Sequence, residues 1–133
     1  MSIEVHVFLV DGNLPSQGQW QQELDEAAAD LVLDEFDPRT HAGFLPVTFE
    51  GEESGFEYYY EKAERDDLPD RVGRRDHMVT FVSHGDLTEL KAAMWAAACL
   101  TRLSDGIFYD PQSDEWTEGD GVFDIIKRDE QAA

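Results

Sequence analysis

The sequence predicts an α+β domain: a mostly antiparallel sheet of four to five strands, two main helices packed on one face, and a short C-terminal helix. Three observations carry this. Apolar residues alternate with polar ones at 3–9, 45–49, 56–60 and 77–82, the period-two pattern of half-buried strands. Residues 18–36 and 86–103 instead repeat apolar side chains at helical spacing. The resulting order, β-α-β-β-β-α-β-α, lets neighbouring strands pair through short turns.

Ile3, Val5, Val7 and Leu9 point to one side of the first strand, which Asp11-Gly12-Asn13 closes as a turn. A helix from about Gly18 to Phe36 follows, with Trp20, Leu24, Ala27, Ala28, Leu31 and Val32 as its apolar stripe. Asp37-Pro38 ends it, because proline disfavours helix at the preceding residue. Leu45, Val47 and Phe49, then Phe56, Tyr58 and Tyr60, read as a hairpin around the turn Gly51 to Gly55. Pro46 has no N–H to donate, so its strand lies at an edge or begins there.

A polar connection from Lys62 to Asp76 leads to the strand His77–Val82. Asp86 and Glu89 then form a helix-opening capping pair. That helix continues to about Leu103 and stops at Ser104-Asp105-Gly106, with Gly106 suited to the left-handed C′ position. Its centre, Ala92 to Leu100, is apolar almost all round and is expected to be the most buried element. Ile107-Phe108-Tyr109 is the final strand, ended by Asp110-Pro111. A helix from about Asp120 to Arg128 docks through Val122, Phe123, Ile125 and Ile126.

A length of 133 residues fits one domain, 1–133, and 41% hydrophobic residues with eight Phe, four Tyr and three Trp suffice for a core. Thirty acidic residues against ten basic ones give a formal charge of -20. Such a surface repels nucleic-acid phosphates and anionic lipid, and attracts basic proteins. One cysteine excludes an internal disulfide framework and fits a reducing compartment. The first residues carry no basic leader, and no apolar run approaches the roughly 20 residues of a membrane span. A cytoplasmic protein is expected.

No pattern in the sequence marks catalytic, cofactor-binding or metal-binding residues. Asp11 to Gln22 begins like a calcium loop, but Ser16 replaces the glycine at position six and Gln22 the glutamate at twelve. Asp110 to Gly121 fails at the same positions. His6, His41, His77 and His84 show no metal-ligand spacing, and Cys99 sits in an apolar helix with nothing to activate it. Ser16 lacks the first glycine of a nucleophile elbow, and Ser83 and His84 point to opposite sides of a strand.

The charge distribution says more. Lys62, Arg65, Arg71, Arg74 and Arg75 place half the basic residues between 62 and 75, where four acids leave that stretch at +1 and the rest of the chain at -21. It reads either as a self-neutralised loop or as an arginine-rich contact loop. Tyr59, between Glu57 and Glu61, faces away from the core, and Trp116 stands among acids. With Arg71, Arg74 and Arg75 these two aromatics are the candidate partner-binding residues.

Leu90 to Trp116, an alanine-rich helix followed by Gly106-Ile107-Phe108-Tyr109-Asp110-Pro111-Gln112, resembles small acidic bacterial proteins of the polymorphic-toxin immunity type. The resemblance covers residues 90–116 and carries no functional residue over. It implies an α+β domain that binds a protein and catalyses nothing. The leading expectation is therefore a non-enzymatic acidic domain, of immunity or inhibitor type, engaging a basic protein. Two alternatives stand beside it. Acidity could reflect high-salt adaptation, favoured by three lysines against seven arginines. A small enzyme could grip an anionic substrate at the arginine-rich 62–77 segment, near His77 or His84.

Overall fold

A computed structural model describes residues 2–63 and 68–132. In chain order the described residues form β1 (Ile3–Leu9), α1 (Gln17–Glu26), β2 (Leu31–Leu33), β3 (Gly43–Phe49), β4 (Glu52–Lys62), β5 (His77–Ser83), α2 (Leu87–Ser104), β6 (Ile107–Asp110), β7 (Glu115–Glu118) and α3 (Gly121–Ala132). One antiparallel sheet runs β2-β3-β4-β5-β1-β6-β7, and the three helices lie on one face of it. The α+β class holds, but the sheet has seven strands where four to five were expected.

Both added strands arise where side-chain pattern misleads. The expected helix to Phe36 stops at Glu26, because Ala28 and Asp30 adopt left-handed φ values of 57° and 51°. No glycine marks this reversal, and Leu31 and Val32 fit a helical stripe as well as the short strand β2 they form. The second addition, β7, follows a turn closed by left-handed Asp114, and it makes Trp116 a strand residue paired with Tyr109. The helix sizes are corrected too: α3, with 12 residues, is longer than α1, with 10, and α2 is the one long helix.

Inward-facing Val5, Val7, Leu45, Val47, Phe56, Tyr58, Val79, Phe81 and Phe108 form the sheet side of the core. Against them lies α2, whose buried Ala92, Ala93, Ala96, Ala97 and Ala98 keep the backbone close to the strands. Trp20 of α1 is fully buried, and its indole N–H donates to the Ala96 carbonyl at 3.1 Å. Arg102 of α2 reaches Glu23 of α1 at 2.6 Å and lies 4.5 Å from the ring centre of Phe123 in α3. One guanidinium thus joins all three helices.

Local chemistry differs from expectation at four joints. Asp86 caps α2 by accepting from Thr88 N–H at 2.8 Å, but Glu89 accepts from His84 N–H instead of reaching back to Asp86. The reciprocal capping box belongs to α1, between Ser16 and Gln19. Asp105, not Gly106, takes the left-handed position after α2. Gly106 is needed for space: a Cβ there would stand 2.8 Å from the Phe8 carbonyl oxygen. Finally, β3 and β4 meet in a two-residue turn, Glu50-Gly51, with φ of 53° and 80°, so Glu52 to Gly55 are strand rather than turn.

Pro46 sits in the second strand of the sheet, just past the end of β2. Its carbonyl accepts from Asp34 N–H at 3.2 Å, and the N–H it lacks is missed by no strand there. The free side of β2 is closed by α1. Gln21 Oε1 accepts from Leu33 N–H and Gln21 Nε2 donates to the Leu31 carbonyl, both at 2.8 Å.

Candidate functional site

With every helix on one side, the other face of the sheet is left to its own side chains. The strand registers align Tyr59, Thr80, His6, Tyr109 and Trp116 in a single cross-strand row from β4 to β7. Four strand spacings put its ends about 19 Å apart. Tyr109 stacks on Trp116 at 4.2 Å and on His6 at 6.3 Å, and His6 Nδ1 shares a 2.9 Å hydrogen bond with Thr80 Oγ1. Burial holds the His6 imidazole below its ordinary pKa, against the opposing pull of Glu4 and Glu61.

Carboxylates border the row. Glu4, Glu53 and Glu61 are exposed on the same face, and Glu57 is half-buried. Glu57 receives the Tyr59 hydroxyl and the His84 imidazole, which hold its carboxyl below the usual range in that order of importance. The same contact pushes the Tyr59 phenol up.

The five candidate partner-binding residues divide. Trp116 is half-buried over Phe8 at 5.7 Å, and Arg71 lies 5.8 Å from its ring centre. Arg75 reaches Glu118 at 3.6 Å and donates to the Asp105 carbonyl at 3.0 Å. These three therefore meet over β6 and β7, where Phe8, Ala63, Val72 and Ile107 form a second apolar cluster. Arg75 works there as a clamp on the 68–76 connection. Arg74 is exposed and makes no ion pair among the described residues. Tyr59 shares the row but stands at its far end. Arg65, Glu64, Asp66 and Asp67, which entered the charge balance, lie outside the described residues.

A polar hub closes one end of the sheet. The Asp11 carboxylate accepts from the Tyr60 hydroxyl and from Arg39 Nη1 at 2.8 Å, and His77 Nε2 lies 3.9 Å away. The Tyr60 contact first, then Arg39, lowers its pKa. His77 stacks on Tyr60 at 5.4 Å and bonds Asp76 through Nδ1 at 3.0 Å. His84 stands at the other end of β5, about 23 Å away at a strand's rise. Of the arginines and histidines named for an anionic substrate, Arg71 lies over Trp116, Arg75, His77 and His84 hold separate partners, and Arg74 is exposed without an ion pair among the described residues, so they do not converge on one cleft.

Cys99 is fully buried in α2, and burial pushes its thiol up to about 12. Among the described residues no group of three or more His, Cys, Asp or Glu side chains is placed to hold a metal ion, and no helix is long and apolar enough to cross a membrane. The chain matches no protein-family model, no curated protein and no solved structure.

Two outward residues escaped the sequence reading. Phe44 is 56% exposed and Val32 is 54% exposed. Strand alternation marks Phe44 as outward-facing once β3 is extended back to Gly43, whereas Val32 was hidden inside the expected helix.

Proposed function

We propose that this chain is a non-enzymatic binding domain, of immunity or inhibitor type and working in the cytoplasm, whose acidic sheet face engages a basic protein. The observation that supports this reading is the helix-free face carrying the Tyr59-to-Trp116 row among Glu4, Glu53, Glu57 and Glu61. Aromatic side chains supply contact area at low entropic cost, and opposed charge speeds encounter and makes it sensitive to salt.

The test is capture on the immobilised chain from lysate of the source cell at about 0.1 M salt, followed by elution at about 1 M, where screening is nearly complete. A basic protein held by the native chain and not by the Glu4→Gln, Glu53→Gln, Glu57→Gln variant is expected. Capture that ignores both salt and the substitutions overturns the reading.

High-salt adaptation is the competing account, favoured by three lysines to seven arginines. It requires the chain to unfold near physiological ionic strength, which a melt against salt concentration decides.

A further inference from the structure

The sheet's outward face carries a second surface, away from the aromatic row's Trp116 end. Val32, Thr48 and Glu53 align across β2, β3 and β4, with Pro46 opposite Gly55 and Phe44 opposite Glu57. Val32, Phe44, Pro46 and Thr48 are all exposed. The Phe44 ring lies over Gly55, where a Cβ would fall 2.7 Å from Phe44 Cε1 and from the Leu45 carbonyl oxygen. An aromatic side chain offers a large contact area with only two side-chain torsions to order, so little rotamer freedom is lost when a partner covers it. Beside it runs a shallow cleft of about 440 Å³ into which Asp34, Glu53 and Glu89 also open.

We infer that Val32, Phe44, Pro46 and Thr48 form the docking surface for a basic amphipathic segment of another protein, its apolar side chains over Phe44 and its arginines or lysines on Glu53 and Glu57. This rests on the reading of a basic partner and gives that partner a place and a pattern. Charge complementarity selects the occupant. Between Leu31 and Glu61 there are eight carboxylates, and the basic residues are Arg39, bound to Asp11, and His41, bonded to the Phe44 carbonyl at 2.9 Å. A second copy of this chain would set like charge against like. Strand addition at β2 is hindered as well, since Gln21 already bonds the Leu31 carbonyl and the Leu33 N–H, and Gln17 Nε2 reaches the Leu33 carbonyl at 3.4 Å. The partner must therefore lie on the face rather than extend the edge.

Three peptides test this on the isotopically labelled chain by amide shifts at about 0.1 M salt: alternating Leu-Arg, alternating Ser-Arg and alternating Leu-Glu. The Leu-Arg peptide is expected to bind most tightly, with shifts concentrated at Val32, Phe44, Thr48, Glu53 and Glu57. The double substitution Val32→Ser, Phe44→Ser should weaken it about tenfold while leaving the Ser-Arg peptide unchanged. Thr48→Arg, a single exposed change that spares both apolar residues, should weaken both basic peptides. Equal binding of Leu-Arg and Ser-Arg, or shifts by none of the three, overturns the inference. Shifts confined to the row from Tyr59 to Trp116 overturn it too, yet leave the basic-partner reading standing.

Discussion

Gln21 stands to Leu33 as a neighbouring strand would: its side-chain oxygen accepts the Leu33 N–H at 2.8 Å while its amide nitrogen serves the Leu31 carbonyl. A side chain has taken over the role of a backbone. Replacing it removes these two hydrogen bonds, each worth about 0.5–1.5 kcal/mol net, and an exposed third to the Asp25 carboxylate at 3.0 Å. Gln21→Ala should therefore cost about 1–3 kcal/mol in denaturant unfolding, and the Leu33 amide should exchange faster with solvent. Unchanged protection of that amide would show that water replaces the glutamine without loss.

The end of α2 offers a paired test. Gly106→Ala places a methyl 2.8 Å from the Phe8 carbonyl oxygen and 2.9 Å from Ser104 Oγ. Neither neighbour is a flexible chain end, so the sheet must shift, at about 1–3 kcal/mol. Asp105→Gly is expected to do the opposite. Asp105 holds φ of 55°, and relief of that left-handed strain should stabilise by up to about 1 kcal/mol. Thermal melts of the two variants should move in opposite directions.

Acid should loosen the polar hub before it touches the core. The folded state holds the Asp11 carboxyl below its ordinary value of 3.8, through Tyr60 first and Arg39 second. A depressed carboxyl contributes stability in full above its unfolded value, and the contribution is lost as pH falls through the folded one. The native chain should thus be more stable than Asp11→Asn at pH 7, with the gap closing as acid titrates Asp11. Taking the difference between the two chains cancels most of the general effect of neutralising a charge of -20. A gap constant across the acid range would show that Asp11 contributes nothing as an anion.

Cys99 should be silent toward a thiol-specific disulfide reagent in the native protein. Burial raises its thiol to about 12, leaving almost no thiolate at neutral pH. Its modification rate should follow global unfolding and climb steeply in denaturant. Rapid native-state labelling would mean that α2 opens locally.

Elements built on strong periodicity were legible from sequence, and those set by backbone reversals were not. Strand alternation located β1, β5 and the core of the β3–β4 hairpin, and the alanine-rich centre announced α2. The reversals at Ala28, Asp30, Glu50, Asp105 and Asp114 use non-glycine residues at positive φ, where composition carries little signal. Each one displaced a boundary: the end of α1, the hairpin turn, the cap of α2, the start of β7. For the candidate site, alternation sent Tyr59 outward correctly, but only register could align it with Trp116, 57 positions later in the chain. The sequence puts Arg75 in a self-neutralised or contact loop, and its ties to Glu118 and the Asp105 carbonyl cannot be read there because those partners are distant in sequence.

The place of β1 in the sheet dictates an order of assembly. It is flanked by β5 and β6, so its neighbours are not made until residues 77 and 107 have been added. The β3–β4 hairpin can zip on its own, whereas the earliest strand must wait, unpaired on both sides, for the second half of the chain. Folding during synthesis is accordingly deferred: a nascent chain cut before β6 lacks one of the two neighbours of its first strand.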